Sequence, residues 1–232
     1  MCEPRVFYTS FKDLIEYVAE IIESEQKISN KELLELCKGS GVVDSDVDAH
    51  FYHEIAETAL NLLILQKYGR DLLASTNPRD AVSIVLSPLQ KTVPTQTWRS
   101  ETQIAYQQFS TPATIAYLAA YLLNIRDGET VLEPSCGTGC LAVWASAAGA
   151  TVIVNEIDPR RRGWALALGF QPYSFDAEFI DDLLPGHLLP DIVLANPPFS
   201  STGGRVKNNS LDFGFRHIES ALRRLKKGGR FA

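Results

Sequence analysis

Asn196-Pro197-Pro198-Phe199 constrains the fold of this chain more than any other stretch. It follows the apolar run Ile192-Val193-Leu194-Ala195, which reads as a buried parallel strand. Two prolines cannot continue a hydrogen-bonded ladder, so the chain leaves the sheet there. Asn196 is thereby presented at the carboxyl end of a strand, where open α/β sheets place their ligands. An amide, a rigid diproline and an aromatic ring suit one task well, the gripping of a planar group that carries an amino nitrogen. The tetrapeptide taken alone fits a tight turn after a strand equally well.

A second segment, Glu133-Pro134-Ser135-Cys136-Gly137-Thr138-Gly139, tips the balance. It lies between the β-like run Thr130-Val131-Leu132 and a helix expected over Leu141 to Ala148. Its glycines let the backbone approach a ligand closely. The spacing is not G-x-G-x-x-G and no Lys-Ser/Thr follows, which argues against a phosphate-cradling loop. Glu133 puts a carboxylate at the end of the strand, and that suits an ammonium group better than a pyrophosphate.

The next strand is expected over Thr151 to Val154, ending at Asn155-Glu156-Ile157-Asp158. An acid one βα unit after the glycine loop is placed to accept bonds from ribose hydroxyls, and Glu156 is assigned that role. Asp158 is expected to cap the following helix, with Pro159 in its first turn. A third strand is expected over Pro172 to Phe175. It ends at Asp176, whose carboxylate could accept from an exocyclic amine of an adenine. Asp181 and Asp182 fall in a helical stretch and are expected to be solvated.

In this order the motifs resemble those of the γ-type amino-group DNA methyltransferases, which use S-adenosylmethionine. Gln108-Phe109-Ser110-Thr111-Pro112, ahead of the glycine loop, is similar to that family's Q-F-x-T-P segment. The resemblance covers about residues 100 to 232. More narrowly, QQFSTP, EPSCGTG, NEIDPRR and NPPFS resemble the methyltransferase segment joined to strawberry-notch-like helicases of phages and plasmids. The resemblance implies a Rossmann-like α/β methyltransferase sheet with helices on both faces. It also implies methyl transfer to the exocyclic N6 of adenine in DNA, with no metal.

Residue by residue, Glu133 stands where the family usually has Asp, near the methionine amino group. Gly137 and Gly139 match the loop under the methionine moiety. Glu156 matches the ribose acid, Ile157 the apolar residue on the adenine, and Asp176 the acid that bonds the adenine amine. Phe109 and Thr111 match the segment at the methionine carboxylate end. Asn196, Pro197 and Phe199 match the catalytic motif. In that motif the Asn196 oxygen and the Pro197 carbonyl accept from the target amine, and Phe199 faces the flipped base.

Composition bounds the remainder. The chain has 232 residues, 45% of them hydrophobic, and no apolar run approaches a membrane span. Cys2, Cys37, Cys136 and Cys140 lack metal-ligand spacing, and free thiols suit a reducing cytoplasm, where the protein is expected. A net charge of −6 is unhelpful for a DNA binder. Arg160 to Arg162 and the basic residues from Arg205 to Arg230 either meet phosphates or serve as helix-surface charges.

Residues 1–98 are expected to form a small helical region and linker without chemistry of its own, ahead of a catalytic core over 99–232. Phe11, Leu14, Ile15, Val18, Ile21 and Ile22 recur at helical spacing, as do Phe51, Ile55, Ala59, Leu62 and Leu63. Gly69 is expected to end the second of these helices, and a linker is expected around Pro88 to Thr97. Ser110 or Thr111 is expected to cap a helix running through Leu123.

A helix over Leu211 to Leu225 and a strand from Gly228 would leave the family's sheet incomplete. The chain is therefore expected to be a fragment whose missing strands, and a helicase or target-recognition partner, lie past Ala232. The residues alone also admit methylation of RNA or of a protein glutamine amide, and a non-catalytic cofactor-binding module.

Overall fold

The carboxyl ends of β1 and β3 lie side by side where the strand order of the sheet reverses. The computed structural model describes residues 11–40, 49–94, 109–198 and 210–232. Among them β1 (Thr130–Glu133), β2 (Thr151–Val154), β3 (Ile192–Val193) and β4 (Arg230–Phe231) form a sheet of order β2-β1-β3-β4. Every pairing is parallel, with Leu132 opposite both Ile153 and Val193. The chain winds outward from β1 in one direction and then in the other. Strand order thus reverses beside β1, and such a reversal opens a ligand crevice. Glu133 and Asn196 stand at its two sides.

Alternation along the strands assigns the faces. Val131, Ile192 and Leu194 join one buried apolar cluster; Leu132, Ile153 and Val193 join another. Helices cover both sides, as the resemblance implied. The first cluster is closed by α1 (Phe11–Glu23), α2 (Asn30–Gly39), α3 (Ala49–Leu63), α4 (Ala113–Leu123), α5 (Ala142–Ala147) and α6 (Pro159–Ala167). The second is closed by α7 (Ser210–Arg223) through Ala221. The helical N-terminal region and the sheet thus share one core.

Local chemistry explains the element ends. α1 buries Leu14, Ile15, Val18, Ala19 and Ile22, a stripe at the helical period. α2 opens on a capping box. The Glu32 N–H donates to Ser29 Oγ at 3.2 Å, and the Ser29 N–H donates to Glu32 Oε2 at 2.8 Å. α6 starts as the sequence predicts, with Asp158 accepting from the Arg160 and Arg161 N–H groups and Pro159 in the first turn.

Four expectations about element boundaries need correction. Gly69 does not end a helix: α3 continues through a widened turn, Ile64–Tyr68, into Gly69–Ala74. A Cβ at Gly69 would stand 2.6 Å from the Ala147 Cβ, so the glycine serves the close approach of two helices. Pro88 belongs to the helical turn Ser87–Thr92 rather than to a linker, and residues 95–97 lie outside the described residues. α4 begins from Pro112 without a side-chain cap, because the Ser110 and Thr111 hydroxyls are engaged elsewhere. Pro172 to Phe175 makes a single parallel bridge, Tyr173 to Asn155, in place of a strand.

Among the described residues no helix is long and apolar enough to cross a membrane.

Candidate cofactor and amine site

The glycine loop is held from three directions. Gly137 has φ +55 and Gly139 φ +87, left-handed conformations that favour glycine. From β2, the Gly137 N–H donates to Glu156 Oε2 at 2.7 Å and the Cys136 N–H to the Asn155 carbonyl at 2.9 Å. From α3, Asn61 Nδ2 donates to the Thr138 carbonyl at 2.9 Å. From α6, the Arg161 guanidinium lies over the loop, 3.0 Å from where a Gly137 Cβ would be. Any side chain at Gly137 would meet that guanidinium.

Glu133 is buried at the end of β1, on the face that turns toward α5. The Ala142 N–H at the start of α5 donates to its carboxylate, and Oε2 has no hydrogen-bond partner among the described residues. Burial holds this carboxyl well above the ordinary carboxylate range. A buried, half-satisfied carboxylate beside a glycine loop matches what a ligand ammonium requires.

Around it lies an ionic cluster that the sequence reading missed. Glu54 on α3 accepts from Trp164 Nε1 at 2.9 Å and from Arg160 Nη2 at 3.2 Å, and its Oε1 stands 3.3 Å from Arg161 Nε. Glu57, one turn on, accepts from the Ser110 hydroxyl at 2.6 Å and from the Thr138 hydroxyl at 3.3 Å. Arg161 Nη2 donates to Ser110 Oγ at 3.1 Å. Burial works against the Arg161 charge, but Glu54, Glu156 and Glu57 outweigh it and keep the group protonated. The sequence clue was a polar stripe, Glu54, Glu57, Thr58 and Asn61, opposite the apolar face of α3.

The cluster makes stability depend on pH. Burial raises the Glu133, Glu57 and Glu156 carboxyls above their ordinary value of 4.5. A raised acid contributes stability that is complete below the unfolded value and lost as pH rises toward the folded one. Asp191 acts oppositely. Its bond with Lys226 lowers its pKa, and the stability it adds is lost on acidification. Glu133→Gln keeps the shape and removes one titration. Urea unfolding across a pH series should show a shallower decline above the ordinary carboxylate range in the variant. A decline parallel to the native protein's would show that Glu133 does not contribute.

Glu156 is nearly buried, and its carboxylate accepts from the Gly137 and Asp158 N–H groups, the latter at 2.9 Å. It therefore locks the glycine loop, while each oxygen keeps a second acceptor site. Ile157 beside it is 48% exposed and offers an apolar face. Asp176 is exposed and caps a short 3-10 turn through the Glu178 N–H at 3.0 Å. Asn155, also missed from the sequence, donates to the carbonyls of Pro134 and Phe175 and accepts from the Phe175 N–H. One amide thus pins both the glycine loop and the segment leading to Asp176.

Asn196 is half-buried across the crevice. Its Nδ2 donates to Thr111 Oγ1 at 3.1 Å and toward the Phe109 carbonyl at 3.4 Å. The Phe109–Thr111 segment therefore touches both halves of the site, with Ser110 tied to Glu57 and Arg161 and its neighbours tied to Asn196. Pro197 is buried, and Phe199 lies outside the described residues.

The basic residues divide. Arg161 and Arg224 are buried, and Arg224 donates to the carbonyls of Asp181, Pro185 and Leu188. Arg223 reaches Asp181 Oδ2 at 3.1 Å, and the Ser220 hydroxyl donates to Asp181 Oδ1 at 2.7 Å. Asp181 is thus an anchor for α7 rather than a solvated acid. Among the described residues no three His, Cys, Asp or Glu side chains are grouped as metal ligands.

No protein-family model and no curated protein matches the sequence. Among solved structures, the chain is similar to a proposed RNA methyltransferase from Pyrococcus horikoshii, with 24% identity, 65% of this chain and 69% of that one covered, and a TM-score of 0.44. It is similar to TrmN from Thermus thermophilus at 19% identity and TM-score 0.44, with 82% of this chain aligned to 57% of that one. A mutant of MtNAS in complex with S-adenosylmethionine matches at 14% identity and TM-score 0.32, covering 97% and 82% of the two chains. These are partial likenesses, and the functional reading rests on the site itself.

Proposed function

We propose that this chain binds S-adenosylmethionine at the glycine loop and transfers its methyl group to the exocyclic N6 of adenine in DNA. The observation that carries the reading is the placement of Asn196, an amide tethered through its nitrogen at the switch-point crevice, opposite the loop and the buried Glu133. Residues 99–232 act as the catalytic core and the helices of 1–98 back it. A fused helicase or target-recognition unit and a cytoplasmic setting belong to the same proposal.

The residues fit the cofactor. Glu133 Oε2, unpaired among the described residues, suits its ammonium, and the positive-φ glycines leave room for its methionine chain. Spare acceptor sites on Glu156 suit the ribose, Ile157 the adenine face, and Asp176 the adenine amine. When bound, the cofactor supplies an electrophilic methyl on a sulfonium.

The chain's own part is positioning and electrostatics. An adenine amino nitrogen is a poor nucleophile because its lone pair is delocalised into the ring. Asn196 Oδ1 and the Pro197 carbonyl accept from its two N–H groups, which favours a pyramidal nitrogen with a localised lone pair. Phe199 gives the base a face once it has left the duplex stack.

Calorimetry of the folded protein with S-adenosylmethionine tests the cofactor assignment. Binding should be saturable and should weaken by about tenfold or more in Glu156→Ala, because that variant loses the ribose acceptor and the lock on Gly137 at once. Unchanged affinity would remove Glu156 from the site.

A further inference from the structure

We propose that Thr111 is a positioning residue that holds the plane of the Asn196 amide while the Phe109 carbonyl sets its polarity, so that the site accepts hydrogen bonds from its substrate and takes an amino-bearing planar group. The inference rests on the functional reading above and names what that reading leaves open, namely why the amide presents oxygen rather than nitrogen.

A primary amide can turn over at small cost when its neighbours are hydroxyls or water, since these both donate and accept. Asn196 is not in that position. Its Nδ2 lies 3.1 Å from Thr111 Oγ1 and 3.4 Å from the Phe109 carbonyl. A carbonyl accepts and never donates. Turning the amide over would set Oδ1 against the Phe109 oxygen, so the pair selects one orientation. The Thr111 hydroxyl makes the shorter bond and holds the amide plane, while the Phe109 carbonyl rejects the alternative. Oδ1 is left as the acceptor that faces away from the segment.

The segment that imposes this orientation is itself anchored. Between its two contacts with Asn196, the Ser110 hydroxyl donates to Glu57 Oε2 at 2.6 Å and accepts from Arg161 Nη2 at 3.1 Å. Glu57 also takes the Thr138 hydroxyl of the glycine loop, and Arg161 lies over Gly137. The orientation of Asn196 is therefore referred back to the cofactor loop through three consecutive residues. A substrate that presents only an acceptor at this point, such as a carbonyl or a phosphate oxygen, would face Oδ1 with no proton between them. An exocyclic amine or a side-chain amide N–H satisfies it.

The test compares Thr111→Val with Thr111→Ser in the full-length protein. Valine is close in shape and lacks the acceptor; serine restores it. Labelled-methyl transfer to DNA at saturating S-adenosylmethionine should show kcat lowered by about ten- to a hundredfold in Thr111→Val, with the KM for DNA little changed, the pattern for a misplaced reacting group. Thr111→Ser should recover most of it.

A second readout is independent of turnover. The side-chain amide protons of Asn196, identified by their absence from the spectrum of Asn196→Ala, should shift and exchange faster in Thr111→Val but not in Thr111→Ser. Unaltered amide resonances in Thr111→Val would overturn the inference. So would a loss of activity that tracks weaker cofactor binding, which would make Thr111 a cofactor contact. A native protein that transfers no methyl to any acceptor would instead overturn the functional reading, and the amide spectrum would still decide the bond.

Discussion

Asn196→Ala should lose methyl transfer while keeping its cofactor. The contacts of Asn196 run to Thr111 and Phe109, and the other groups assigned to S-adenosylmethionine stand on the glycine loop, at the ends of β1 and β2 and at Asp176. Truncation removes a preorganised acceptor aimed at the amine and leaves those groups in place. Loss of one oxyanion-hole donor costs about two to three orders of magnitude in turnover, and loss of this acceptor should cost about as much. Single-turnover transfer of labelled methyl, with calorimetry of the cofactor alongside, separates the two functions. Near-normal transfer by the variant would remove Asn196 from the chemistry. Weakened cofactor binding with proportionate loss of turnover would move it into the cofactor site.

The second large effect is on stability. Glu54 is 3% exposed and faces Arg161, itself 6% exposed, together with Arg160 and the Trp164 indole N–H. Removing one partner of a buried pair strands the other charge, at a cost of about 3–5 kcal/mol. Glu54→Ala also strands an indole donor, so the upper part of that range is expected. Trp164→Phe removes that donor, a bond to a charged group worth about 1.5–3 kcal/mol, and also leaves a cavity where the indole packs on Phe11 and Phe51. Urea unfolding of the three proteins gives the comparison. The transition should stay single, since α3 and the sheet share one core. A loss below about 1 kcal/mol in Glu54→Ala, the worth of a surface pair, would mean that water reaches the cluster.

Much of the frame is legible in the residues. β2 spans Thr151–Val154 as its β-branched run predicts, and Asp158 with Pro159 starts α6. Diproline after an apolar run places Asn196 past β3. Those signals are local and act through backbone geometry.

What escapes the sequence depends on partners far along the chain. Glu54, Glu57 and Asn61 look like the wet face of an amphipathic helix, and nothing local shows that this face packs on the glycine loop more than 70 residues later. Pro172 to Phe175 has strand composition yet lacks a ladder. The Asn155 side chain stands in for a neighbouring backbone by giving Phe175 both a donor and an acceptor. Ser110 and Thr111 have capping chemistry, but Glu57 and Asn196 compete for their hydroxyls and prevail. In each case a polar side chain had two possible partners, and tertiary packing chose between them.

The central claim is that Asn196, in the crevice beside the glycine loop, directs a methyl group onto an adenine amine. The most direct measurement gives the full-length protein S-adenosylmethionine with a labelled methyl and duplex DNA, then digests the product to nucleosides. The account predicts label in N6-methyl-2′-deoxyadenosine and none there when Asn196 is alanine. Label recovered in another base, in RNA or in protein offered alongside, with adenine unlabelled, would contradict it.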